Sequence, residues 1–116
     1  MKKNKTLCYC FDLDNVICNT KKKFYKRSKP KKKVIEIINK LFKKKNRILI
    51  FTARGMTTYK ENLSIIEKKI RPMTENQLKT WGVKYHKLIL GKPSYDVYVD
   101  DKNFEFKKSW YKKIIK

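Results

Sequence analysis

The run RILIF at residues 47–51 predicts a strand that is buried on both faces, as the strands of a parallel sheet are. Short apolar runs elsewhere predict three further strands, at 7–11 (LCYCF), 87–90 (KLIL) and 95–99 (YDVYV). Parallel strands need long connections between them, and helices usually supply these connections. The intervening segments should therefore be helical.

Apolar residues do recur at helical intervals between and after the strands, in segments 34–42, 59–70, 74–82 and 104–115. Pro30 suits the first turn of the first helix. TENQ at 74–77 has the form of a capping box with Thr74 at the N-cap, and Gly82 suits the end of that helix. The alternation predicts an α/β fold, a doubly wound and mostly parallel sheet of about four to five strands with helices on both faces.

The length of 116 residues predicts a single domain over 1–116 with no cap domain. No stretch approaches the roughly 18 apolar residues of a membrane span. MKKNKT at the N-terminus has no apolar signal core. We therefore expect a cytoplasmic protein without a membrane partner.

Three cysteines, Cys8, Cys10 and Cys18, lie close together without a CxxC pair. Their number and spacing argue against a metal site or a disulfide framework. Cys8 and Cys10 are expected to pack as small apolar side chains on one face of the first strand.

The net charge of +22 comes from 28 lysines and four arginines spread along the whole chain. Nucleic-acid-binding proteins more often concentrate their basic residues, use arginine and interleave exposed aromatic residues. The spread favours a solvated lysine surface. Nucleic acid is therefore an alternative partner that the sequence does not favour.

Four of the five aspartates follow or end a predicted strand, namely Asp12, Asp14, Asp100 and Asp101, whereas Asp96 falls at the opposite edge. If the first and fourth strands are neighbours in a parallel sheet, these four carboxylates meet at one edge. Carboxylates so concentrated need a compensating cation. A hard divalent ion with oxygen ligands, Mg²⁺, is the predicted cofactor.

Three further polar residues fall at the same predicted edge. Thr52 ends the second strand, Arg54 follows two residues later, and Lys92 follows the third strand. Carboxylates, a hydroxyl, cationic groups and a metal ion are the groups that phosphoryl transfer requires. Lys92 is favoured over Lys79 for the phosphate because Lys79 lies inside a predicted helix. His86 is expected to be structural or exposed.

The order of DLDNV, FTAR, GKP and VDD resembles the four motifs of the haloacid dehalogenase superfamily of phosphatases and phosphotransferases. The resemblance extends from Leu7 to about Phe104 and implies a Rossmann-like sheet. The run from TENQ to VDD is similar to small capless members of capsule and surface-polysaccharide biosynthesis. One position departs from the commoner pattern, since Val16 stands where many of these phosphatases have threonine.

This resemblance implies a role for each motif residue. Asp12 would attack the substrate phosphorus to form an aspartyl-phosphate, and Asp14 would act as general acid and base. Thr52 would hydrogen-bond a phosphoryl oxygen. Lys92 would pair with Asp12 and the phosphoryl group, and Arg54 is an additional candidate for binding the substrate.

The implied metal ligands are Asp12, Asp14 through its backbone carbonyl, and Asp100, Asp101 or both. Each assignment has a structural alternative: Thr52 could cap the turn after its strand, Asp101 could only support a ligand, and Arg54 could lie on the surface.

Three functions follow as expectations. The first is a Mg²⁺-dependent phosphomonoesterase for a phosphorylated small metabolite, such as a sugar phosphate or a surface-polysaccharide precursor. The second is a nucleic-acid end phosphatase, which an open site and the positive charge would suit. The third is a non-catalytic module that binds Mg²⁺ and phosphate, or nucleic acid. Without a cap, a second copy of the chain could also cover the site.

Overall fold

A computed structural model describes residues 5–114 of the chain. Its strands are β1 (Cys8–Phe11), β2 (Cys18–Asn19), β3 (Lys29–Pro30), β4 (Arg47–Thr52) and β5 (Lys87–Leu90). Its α-helices are α1 (Lys32–Lys43), α2 (Leu63–Lys69), α3 (Arg71–Thr80) and α4 (Tyr111–Ile114), and a short 3₁₀ helix spans Tyr25–Arg27. The predicted α/β class is confirmed.

Three strands form a parallel sheet in the order β1-β4-β5. The central strand β4 is the predicted RILIF segment, and its residues Ile48, Ile50 and Thr52 are buried. Strands β2 and β3 form a separate antiparallel pair. The sheet has three strands among the described residues, fewer than the four to five expected, and no cap domain is evident there. All three carboxyl ends lie at one edge, where the candidate site is found.

The predicted strand at 95–99 is wrong. These residues form no strand, and Val97 and Val99 are 77% and 88% exposed. The rings of Tyr95 and Tyr98 lie 5.0 Å apart between centroids. Residues three apart in a strand point to opposite faces, so this contact needs a non-extended backbone. One edge of β1 is consequently not paired by this segment.

Helix α1 begins later than its proline suggested. Pro30 pairs with Cys18 between β2 and β3, and the helix starts at Lys32. The buried face of α1 has the predicted helical spacing and consists of Val34, Ile35, Ile38 and Leu41.

Helix α3 also differs from its predicted start. It begins at Arg71 with Pro72 in its first turn, so Thr74 lies inside the helix and caps nothing. The helix ends as predicted before Gly82, whose φ of +72° suits glycine. The predicted tail helix is observed only over α4, and its last predicted residue, Ile115, lies outside the described residues.

The first strand presents its cysteines differently from the prediction. Cys8 and Cys10 are exposed free thiols, whereas Cys18 is buried. His86 has the expected structural role, since its Nδ1 accepts a hydrogen bond from the Ile48 N–H at 3.0 Å. Within residues 5–114, no helix is long and apolar enough to cross a membrane.

Candidate active site

Asp12 directly follows β1 and reaches the carboxyl edge of the sheet. Its Oδ1 accepts a hydrogen bond from the Leu13 N–H at 2.8 Å, and its Oδ2 lies 3.6 Å from the Lys92 ammonium. The Asp12 side chain is 36% exposed. Partial burial raises the pKa of Asp12 above its ordinary value of 3.8, although Lys92 and the Leu13 N–H act in the opposite direction. The carboxylate is thus accessible, with a cation beside it.

Lys92 reaches Asp12 from the end of β5. Its backbone N–H donates to the Thr52 carbonyl at 3.1 Å, which joins the turn after β5 to the end of β4. The ammonium lies 4.9 Å from the ring centroid of Tyr98 and 5.2 Å from that of Tyr95. Burial by itself would lower the pKa of Lys92, but Tyr95, Asp12 and Tyr98 outweigh it and raise the pKa. Lys92 therefore remains a cation at neutral pH.

Replacing Lys92 by methionine should raise the pKa of Asp12 further, because the lysine charge lowers it in the native protein. The ¹³C NMR titration of the Asp12 carboxyl carbon measures this shift. Folding raises the pKa of Asp12, so between the unfolded and the folded pKa the native state binds more protons than the unfolded state. The contribution of Asp12 to the free energy of unfolding therefore falls as the pH rises through this range. An unchanged Asp12 titration in Lys92→Met would contradict the pairing.

Gly91 lies in the turn between β5 and Lys92. Its φ is +91°, and a Cβ there would lie 2.9 Å from Leu63 Cδ2. Gly91→Ala should lower the free energy of unfolding in urea by about 1–2 kcal/mol because of the strained backbone.

Gly82→Ala is the matched control for that substitution, since Gly82 has a φ of +72° with nothing within 4 Å of an added Cβ. Both variants carry backbone strain, but only Gly91→Ala should also shift the pKa of Asp12, because it moves the Lys92 ammonium. An Asp12 titration that is unchanged in Gly91→Ala would show that Gly91 does not position Lys92.

Arg54 is 1% exposed, which excludes the surface position considered from the sequence, and its role as a substrate ligand stays a prediction. Its Nη2 and Nε donate to the two carboxylate oxygens of Asp14 at 2.9 and 3.0 Å. Its Nη1 donates to Gln77 Oε1 at 2.6 Å and to Thr74 Oγ1 at 3.1 Å, both on α3. The guanidinium fork thus ties the loop after β1 to α3.

The same arginine also anchors the basic loop between β2 and β3. The ring of Tyr25 lies 4.9 Å from the Arg54 guanidinium carbon, and the Tyr25 carbonyl accepts a hydrogen bond from Gln77. The Thr20 hydroxyl donates to Asp14 Oδ1. The loop is therefore a fixed wall of the site.

Thr52 is 1% exposed at the end of β4, and its Oγ1 accepts a hydrogen bond from the Arg54 backbone N–H at 3.2 Å. The turn-capping role considered from the sequence is therefore present. The hydroxyl proton is not used by this bond, so donation to a phosphoryl oxygen stays a prediction.

A cleft of about 750 Å³ opens beside these residues, and we call it the Asp12 cleft. Of the predicted site residues, Asp12, Asp14 and Arg54 line it, while Thr52 and Lys92 lie beside it at the strand ends. Sequence reasoning missed the other lining residues, which are Asn15, Thr20, Lys22, Lys23, Phe24, Tyr25, Ala53, Thr57 and Ser94. Among these residues only the lysines gave a signal in the sequence, where the spread of charge predicted a solvated surface.

The predicted metal ligands come together only in part. Asp12 and Asp14 both line the Asp12 cleft, and the hydrogen bonds of the Asp14 carboxylate do not involve its backbone carbonyl, which is the predicted ligand. Asp100 and Asp101 instead lie on the exposed segment after Val99, where each interacts with Lys102. Residues 5–114 contain no group of three or more His, Cys, Asp or Glu side chains that could hold a metal ion. This arrangement does not fit the four-carboxylate Mg²⁺ site expected from the sequence, and the metal requirement stays a prediction.

No protein-family model and no curated protein matches the chain. A crystal structure of an MCSG target from Vibrio cholerae has a similar fold, with a TM-score of 0.81 and 27% sequence identity. The match covers 91% of this chain and 87% of the Vibrio chain, whose name gives no activity. The comparison supports the α/β architecture over nearly the whole length of the chain.

Proposed function

We propose that the chain is a phosphomonoesterase that works by phosphoryl transfer to Asp12. The observation that carries the proposal is the Asp12 carboxylate, 36% exposed, with the Lys92 ammonium 3.6 Å from its Oδ2 at the carboxyl edge of a parallel sheet. Ligands of open α/β sheets bind outside this edge. The four motifs that resemble the haloacid dehalogenase superfamily support the same chemistry.

In this mechanism, an oxygen of Asp12 attacks the phosphorus and the bond to the leaving alcohol breaks. Water then attacks the phosphorus of the aspartyl-phosphate, which releases inorganic phosphate and restores the carboxylate. Lys92 lies where it can balance the negative charge of the phosphoryl group, and the Thr52 hydroxyl can donate to one of its oxygens. No step is assigned to a metal ion.

The general acid and base role of Asp14 depends on which oxygen carries the proton. Oδ1 accepts hydrogen bonds from Arg54 and from Thr20, so a proton there would displace a donor. Among residues 5–114, Oδ2 accepts only the bond from Arg54 Nε, and a carboxylate oxygen has two acceptor positions. Oδ2 is therefore the oxygen that could protonate a leaving group while the Arg54 contacts are kept.

The test is phosphate release from sugar phosphates, nucleotides and 3′- or 5′-phosphorylated oligonucleotides, with Mg²⁺ or with EDTA. The expected result is release that requires Asp12, and loss of release in EDTA would support the Mg²⁺ requirement predicted from the sequence. The small-metabolite substrate rests on the resemblance alone. If phosphate analogues bind but no substrate is turned over, the non-catalytic binding module would be favoured instead.

A further inference from the structure

A second cleft, of about 560 Å³, lies near the start of α1 and combines lysines with aromatic rings. We call it the basic cleft. Its lining residues are Asn19, Lys31, Lys32, Lys33, Val34, Phe106, Lys107, Lys108, Ser109, Trp110 and Tyr111. Five are lysines and none of these lining residues is acidic, although Lys107 pairs with the neighbouring Glu105 at 3.0 Å. The cleft therefore attracts anions.

The charge at this cleft is unfavourable for α1 itself. The first turn of α1 has no acidic residue and no side-chain N-cap, and Lys32 and Lys33 stand where the helix dipole disfavours cations. Both lysines are exposed. A bound anion would offset this repulsion.

The aromatic residues indicate what kind of anion fits. Phe106 is 61% exposed, and its ring centroid lies 5.7 Å from that of the buried Trp110. An exposed ring on a firm aromatic support is a surface on which a nucleic-acid base can stack, while lysines bind the phosphates beside it. The site is concave, so a flat membrane surface fits it poorly. Exposed aromatics among lysines are the feature that the sequence alone did not reveal.

The basic cleft also adjoins the Asp12 cleft. Asn19 lines the first and its neighbour Thr20 lines the second. Lys31 of the basic cleft donates through its Nζ to the carbonyl of Asn15, which lines the Asp12 cleft, at 3.0 Å. The wall of the Asp12 cleft carries the exposed Phe24, which is 56% exposed, together with Lys22 and Lys23. Lysines and exposed rings thus continue from one cleft into the other.

We infer that the basic cleft binds a segment of single-stranded nucleic acid, with Phe106 stacking on a base and the lysines contacting phosphates. The placement of the strand's phosphorylated end in the Asp12 cleft rests on the proposed function. Binding of the strand does not, since it depends on residues outside the catalytic groups.

The test measures fluorescence anisotropy of a labelled, unphosphorylated oligothymidylate of about ten nucleotides over a salt series. Lys32, Lys33, Lys107 and Lys108 are replaced together by glutamine. The matched control replaces Lys40, Lys43, Lys44 and Lys45, which are exposed at the other end of α1, and so removes the same charge.

The cleft variant should bind at least about tenfold more weakly, and its slope of log Kd against log salt should fall by about two to three, since each lost phosphate contact contributes about 0.7. The control should change Kd by less than about threefold. Phe106→Leu should weaken binding about tenfold through lost stacking. Thermal unfolding of the cleft variant should occur no earlier than that of the wild type.

Equal loss in the two lysine variants would overturn the inference, because binding would then follow net charge alone. The inference would also fail if duplex DNA bound as tightly as the single strand. It would fail as well if the cleft and control variants bound the single strand equally and differed only in binding to anionic phospholipid vesicles, because the cleft would then bind a lipid surface. Hydrolysis of p-nitrophenyl phosphate, expected to be unchanged in the cleft variant, tests the proposed function separately. Strand binding without any hydrolysis by the wild type would reject the phosphatase and leave the binding site standing.

Discussion

Asp12→Asn should lower phosphate release by about 10⁴-fold or more, because removal of a covalent nucleophile costs rates of this order. The amide keeps the size of the side chain and can still accept the Leu13 hydrogen bond, which is 2.8 Å long. Asp12 is 36% exposed, so the loss should come with a stability close to that of the wild type. The comparison uses initial rates on the best substrate of the panel and urea unfolding of both proteins.

The matched control is Asp96→Asn, the same chemical change at an exposed aspartate in the segment 95–99. Its rate should stay within about twofold of the wild type, as expected of surface substitutions away from a site. Equal losses in the two variants, or a native rate in Asp12→Asn, would remove Asp12 from the chemistry.

Arg54→Met should lower the free energy of unfolding by about 3–5 kcal/mol, because it leaves a partly buried carboxylate without its cation. Arg54 has no exposed side-chain surface, and the Asp14 side chain is 21% exposed. Methionine also leaves the Gln77 and Thr74 side chains on α3 without their donor. Urea unfolding followed by circular dichroism measures the loss.

Two comparisons make this prediction decisive even if Arg54→Met fails to fold. Arg54→Lys keeps the charge but loses the bidentate fork, and it should be intermediate in stability. Arg71→Met removes an arginine that pairs with the exposed Glu67 and Glu75 and donates to the Leu88 carbonyl at 2.9 Å. It should cost less than Arg54→Met, because each exposed ion pair contributes at most about 1 kcal/mol. Native stability in Arg54→Met with only a raised KM would favour the substrate-binding role predicted from the sequence over the structural one.

The contrast between Asp12 and Arg54 shows what local sequence could predict. Asp12 follows an apolar strand, and its position at the sheet edge depends only on that strand and on the parallel pairing of β1 with β4. The position of the Arg54 side chain depends on distant partners: Asp14 is 40 residues away in sequence, Thr74 is 20 and Gln77 is 23. Thr74 and Gln77, the first and last residues of TENQ, had a complete local explanation as a capping box. A local pattern therefore concealed their distant contact.

The segment 95–99 shows how tertiary contacts override β propensity. YDVYV is rich in residues that favour strands, yet Tyr95 and Tyr98 lie together over the Lys92 ammonium. β propensity depends on the residues of the segment itself. It could not predict a cation–π contact with Lys92, which lies outside the segment and was expected to bind phosphate. The prediction that Asp100 and Asp101 lie beside Asp12 required residues 95–99 to form a strand next to β1. Because these residues form no strand, that prediction has no structural basis.

Mass spectrometry of the protein quenched in acid during turnover tests the phosphorylation of Asp12 most directly. The predicted result is a phosphate adduct on the peptide that contains Asp12, absent without substrate and absent in Asp12→Asn. Turnover of substrate with the adduct on another residue, or the same adduct in Asp12→Asn, would contradict a mechanism in which Asp12 is the nucleophile.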